Sequence, residues 1–104
     1  MGNFCLDWLI FMGNSKKIAR FIIHGRVQGV FFRDSTRQIA KKLDIKGSAA
    51  NQSDGTVLVV ADGTQDSLRK LKSWLMVGPD MAEVERVEEV DIECHQEFNG
   101  FTIG

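Results

Sequence analysis

The pentapeptide NQSDG at residues 51–55 limits the possible folds of this chain more than any other feature. Asp54-Gly55 supplies the positive-φ position that a tight hairpin turn requires. Two strand-like runs flank it, GSAAN (47–51) before and TVLVVA (56–61) after, the second rich in β-branched residues. Each half of the chain then adds one helix and one strand. Upstream, IARFIIH (18–24) predicts a strand. FRDSTRQIAKKLD (32–44) follows, with Phe32, Thr36, Ile39, Ala40 and Leu43 on one side at helical spacing. Downstream, Thr64 is a candidate cap for a second helix, with Asp66 in its first turn. Leu68, Leu71, Trp74 and Leu75 form its apolar stripe, and Gly78-Pro79 ends it. EVERVEEVDIE (83–93) predicts a charged strand. Val87 is out of phase with Val84, so a bulge or a late start of the strand is expected there. FTI (101–103) can add a last short strand. The order strand–helix–strand, hairpin, strand–helix–strand is the split βαβ, or ferredoxin-like, arrangement. The fold class is therefore α+β: a βαββαβ sandwich with an antiparallel sheet and two helices on one face.

The 104 residues suit one domain, and a net charge of −1 gives no sign of a nucleic-acid partner. Cys5 and Cys94 lie at opposite ends without CxxC spacing, which argues against a disulfide framework or a zinc site and for free thiols in a reducing cytoplasm. The run NFCLDWLIFM (3–12) is too short to span a bilayer. No basic residue precedes it and Asp7 interrupts it, unlike a signal peptide. Residues 1–15 are expected to be a dispensable extension, with the domain at 16–104.

GRVQGVFFR (25–33) is where chemistry is expected. The strands flanking each helix run parallel, so the 25–31 loop and Asn51 share one sheet edge. Gly25 and Gly29 permit backbone N–H groups to converge on an anion. The following helix adds its N-terminal dipole, and Arg33 in its first turn carries a fork suited to phosphate oxygens. A cation is disfavoured at a helix N-terminus, which points to a bound anion. The stretch is neither a Walker A loop nor GxGxxG. On spacing alone, a plain βα turn with a solvated Arg33 stays equally open. His24 reads as a rim histidine and His95 as solvated. Asp34 and Arg37 read as lacking acid–base partners, and Asp54 and Asp62 as turn residues. The 83–97 charges read as a wet sheet face.

Residues 23–33, IHGRVQGVFFR, resemble the first signature of the acylphosphatases, and GSAANQSDGTVLVVADG (47–63) resembles the second. The resemblance covers residues 16–104. It implies the ferredoxin-like fold and hydrolysis of carboxyl-phosphate anhydrides with no metal and no cofactor. Arg33 corresponds to the family's phosphate-binding arginine, and Asn51 to the asparagine that positions the attacking water. Gly25, Arg26, Val27, Gln28, Gly29, Val30 and Phe31 correspond to the phosphate cradle. Ser48 stands where the family usually has an aromatic residue, a difference of packing rather than of reacting groups. The implied partners are a small acyl-phosphate substrate and inorganic phosphate as product and inhibitor. Nucleic acid and membrane are not expected, and a cytoplasmic monomer is. A phosphate-binding regulatory domain without turnover is the alternative. An RNA-recognition module on the same frame would need aromatics on its central strands, and TVLVVA has none.

Overall fold

A computed structural model describes residues 16–92 and 100–103. Cys5, Cys94, His95 and the 1–15 extension lie outside the described residues. The elements are β1 (Lys16–Arg26), α1 (Phe32–Lys42), β2 (Lys46–Asn51), β3 (Val57–Thr64), α2 (Gln65–Leu75), β4 (Glu83–Ile92) and β5 (Phe101–Ile103). The sheet order is β4-β1-β3-β2-β5. The four long strands pair antiparallel, as the hairpin and two crossovers require. β5 joins the free edge of β2 in parallel, so the complete sheet is mixed.

Alternation on the central strands separates the two faces. Ala19, Phe21 and Ile23 of β1 face Ala61, Val59 and Val57 of β3, and all six are buried. Over this apolar face lie α1, against β2 and β5, and α2, against β3 and β1. α1 contributes Phe32, Thr36 and Ala40, with Ile39 and Leu43 partly buried beside them. The buried Thr36 hydroxyl is satisfied within its own helix, donating to the Phe32 carbonyl at 2.8 Å. α2 contributes Leu68, Leu71 and Leu75. Phe32 and Trp74 join the helices through tilted rings 5.7 Å apart. The Thr64 cap forms as expected, accepting from Ser67 N at 3.1 Å. α1 stops at Lys42, two residues before its apolar stripe suggested, because Asp44 turns left-handed (φ 59°) and Ile45 N closes back on Ala40 O at 2.8 Å.

The phase slip in β4 is a bulge. His24 pairs with Arg86 but Gly25 pairs with Val84, so Glu85 is the extra residue. It lets Val84 and Val87 both pack against the core. Gly25 sits opposite with φ 126°. A Cβ there would lie 2.2 Å from the Glu83 carbonyl oxygen and 2.8 Å from Glu85 N, both backbone atoms. The glycine is thus demanded by strand packing. Gly29 has φ 75° and open space around it, so only backbone conformation constrains it. Gly25→Ala is expected to cost about 3 kcal/mol or more, since clash and strain add, and Gly29→Ala only about 1–2 kcal/mol. Thermal unfolding of the two variants checks the contrast.

Among the described residues, no helix covers the second sheet face. His24 lies on it with Arg20 and Ile22, and its Nε2 is 2.5 Å from Glu88 Oε1. The His24 hydrogen bond, more than nearby Arg86, holds the Glu88 carboxyl below the usual carboxylate range. Val90 also lies here, opposite Arg20 and 46% exposed, so its alternation serves the wet face rather than the core. Asp62 belongs to β3, paired with Ile18 and Lys46, and not to a turn.

Candidate active site

Residues 27–31 carry the chain from β1 to α1. Val27 and Val30 turn inward and are 1% and 7% exposed, which pins the loop to the core by its side chains. Any contact these two make with an anion must therefore come from their backbone. Gln28 reaches sideways: its Nε2 donates to Gln52 O at 2.8 Å and to Thr56 O at 2.9 Å. These carbonyls form the base of the β2–β3 hairpin, where Gln52 N also donates to Thr56 O at 2.9 Å. One primary amide, with two N–H donors, ties the loop to the strand end that carries Asn51. The hairpin is itself braced by Asp54, which accepts from Thr56 Oγ1 at 2.6 Å and Thr56 N at 3.0 Å. The Thr56 hydroxyl first, and its amide second, hold the Asp54 carboxyl below its ordinary range.

The loop ends on Phe31, which has φ 60° and ψ 24°, an uncommon conformation for a non-glycine residue. Its carbonyl accepts the first helical bond, from Ser35 N at 3.0 Å, and its own side chain, an apolar ring, makes no capping hydrogen bond. The positive end of the α1 dipole thus faces the loop. A cavity of about 240 Å³ opens at this junction. Val27, Gly29, Phe31 and Arg33 line it, as do Phe32, Asp34 and Ile103. Asp34 would repel an anion there, but its carboxylate is engaged by Arg37 Nη2 at 2.6 Å and Gln38 Nε2 at 2.9 Å. Asp34 and Arg37, for which the sequence offers no acid–base partner, form an ion pair with each other at i, i+3 spacing.

Asn51 ends β2 at this same edge. Ile23, Val57 and Asn51 are in register across β1, β3 and β2, and Asn51 shares the helix-covered face with Ala49. Arg33 opens a helix on that face. The two residues therefore stand at one end and on one side of the sheet. Asn51 is exposed and is not among the residues lining the cavity. Gly25, Arg26, Gln28 and Val30 also lie outside the lining: Gly25 packs on β4, Arg26 is exposed opposite Glu83, Gln28 holds the hairpin and Val30 is buried. Ser48 faces Val60 on the open side of the sheet, away from the cavity.

Phe32, Asp34 and Ile103 were not anticipated at the site. Phe32 and Asp34 follow from continuing the loop into the first helical turn, a signal present in the spacing. Ile103 enters because β5 pairs parallel with β2, placing it opposite Ala49. A three-residue strand carries no signal of which neighbour it will choose. Among the described residues, no three His, Cys, Asp or Glu side chains gather to hold a metal. No helix there is long and apolar enough to cross a membrane.

Fold and site together define a class: a ferredoxin-like α+β domain with an arginine-lined cleft at its first strand–helix junction. The acylphosphatase family model matches residues 19–103. An acylphosphatase of Pyrobaculum calidifontis is 43% identical over 86 residues, covering 82% of this chain and 78% of the relative. One of Vibrio cholerae is 41% identical over 88 residues, covering 85% and 97%. The structure of an acylphosphatase from Coxiella burnetii superposes with a TM-score of 0.83 at 35% identity, covering 89% of this chain and 96% of that one. The chain belongs to the acylphosphatase family of hydrolases.

Proposed function

We propose that this enzyme hydrolyses small acyl phosphates to carboxylate and inorganic phosphate by direct attack of water. Arg33 and the backbone amides of the 25–31 loop hold the phosphoryl oxygens, and Asn51 orients the water. The observation that carries the reading is the position of Arg33 in the first turn of α1, at a cavity on the same end and face of the sheet as Asn51. The water oxygen bonds to phosphorus as the bond from phosphorus to the carboxyl oxygen breaks. The electron pair leaves with the carboxylate, and the water's protons pass to the phosphate product and solvent. A carboxylate is weakly basic and departs without a general acid. The transition state is loose, with charge on the equatorial oxygens, so a guanidinium and fixed N–H dipoles supply what it needs. An amide is no base, but it can donate to and accept from one water at once. Gln28 supports this division by fixing the spacing between loop and hairpin. The enzyme acts as a cytoplasmic monomer without metal or cofactor.

The test is acetyl phosphate hydrolysis by the purified protein with and without EDTA. Turnover is expected to be unaffected by the chelator and competitively inhibited by inorganic phosphate. Activity lost to EDTA and restored by magnesium would sink the metal-free mechanism. Phosphate binding without turnover would leave a regulatory phosphate-binding domain instead.

A further inference from the structure

Resting on the acyl-phosphate reading above, we propose that Phe31 and Ile103 form a subsite for the acyl group, which makes the enzyme selective for neutral, apolar acyl phosphates. The cavity has two chemically different sides. Arg33 marks the anion side. Val27, Phe31, Phe32 and Ile103 form an apolar side. Val27 and Phe32 are buried, but Phe31 is 80% exposed and Ile103 36% exposed. The Phe31 ring is kept out of the core by a left-handed backbone, at the loop where the phosphoryl group binds. A large apolar side chain fixed in solvent beside a cavity provides contact area for a ligand.

Substrate geometry determines what meets that area. In an acyl phosphate a single carboxyl unit separates the phosphoryl group from the rest of the molecule. With the phosphoryl group at Arg33, the acyl substituent has to lie against the other cavity side. At about 240 Å³ the space is below the roughly 300–1,000 Å³ of pockets for drug-sized ligands, so it fits a substituent of a few carbons or one ring. Val27, Phe31, Phe32 and Ile103 offer no polar partner to a carboxylate on the substituent, so a second negative charge there is disfavoured by desolvation. These contacts are made equally in the bound substrate and the transition state, so they act on KM more than on kcat.

The experiment compares kcat and KM for acetyl, butyryl and succinyl phosphate. Acetate and butyrate are leaving groups of nearly equal basicity, so the first pair reports contact rather than intrinsic reactivity. The expected result is a kcat/KM about 10-fold or more higher for butyryl than for acetyl phosphate, carried mainly by KM, with succinyl phosphate the poorest. Ile103→Ala is expected to raise KM for butyryl phosphate far more than for acetyl phosphate and so to remove most of the butyryl preference, while Ile103→Leu retains it. Phe31→Ala, on a different element, is expected to shrink the preference as well, which keeps the test decisive if the β5 variant is unstable. Equal kcat/KM for butyryl and acetyl phosphate in the parent, or a preference unmoved in folded variants, overturns the subsite and leaves the hydrolase reading standing. Turnover of none of the three overturns both.

Discussion

Arg33→Gln is expected to abolish nearly all turnover and, in the same protein, to weaken inhibition by inorganic phosphate. Both effects come from one property of the substrate: the phosphoryl group is anionic before, during and after the reaction. A guanidinium at the cavity therefore acts on ground state and transition state alike, and more strongly on the second, where charge on the equatorial oxygens is held in line. Glutamine keeps a planar donor group but loses the charge and the two-pronged fork. Losing a charge-assisted bidentate contact at a partly desolvated site costs on the order of 2–5 kcal/mol, or roughly 30- to 5,000-fold. The fold is expected to survive, because Arg33 is outside the buried core that Phe32, Thr36 and Ala40 supply to the sheet. Steady-state kinetics with phosphate as inhibitor, and circular dichroism as the folding control, measure both quantities. A variant that binds phosphate as well as the parent would remove Arg33 from the anion site.

The frame for this site was legible in the sequence wherever a local rule had one solution. Asp54-Gly55 allowed one hairpin, and the structure uses Asp54 as the brace of that turn. Thr64 ahead of an apolar stripe allowed one helix start. The phase error between Val84 and Val87 was legible as a bulge or a late start, and the structure has the bulge, though the sequence did not reveal why Gly25 must be the residue across from it. From sequence alone, the 25–33 loop presents itself mainly as a glycine-enabled nest. The structure divides its residues differently: Val27 and Val30 anchor, Gln28 tethers, and Phe31 projects outward. That division depends on partners 24 and 28 residues away, which no local pattern encodes. The same limit hid Ile103, whose place in the cavity depends on the strand that β5 chooses to join.

The Gln28 tether also sharpens the expectation for Asn51. Asn51→Ala is expected to lower turnover by roughly 10²–10³-fold, the scale found when one positioned polar group is removed from a preorganised site. Phosphate inhibition is expected to change little. Asn51 lies outside the cavity lining, so on the proposed roles removing its amide deprives the water of its holder and leaves the anion contacts of Arg33 and the loop in place. The strand end should keep its position, because it is held by other bonds: the register with Val57, the Gln52–Thr56 closure, and the two donations from Gln28. Alanine therefore removes a functional group without moving the backbone that carried it. The diagnostic is the contrast between two variants in one assay. Arg33→Gln changes kcat and the phosphate inhibition constant together, whereas Asn51→Ala changes kcat alone. Near-normal turnover in Asn51→Ala would show that water is oriented by another group, and equal loss of phosphate inhibition in both variants would show that Asn51 belongs to the anion site itself.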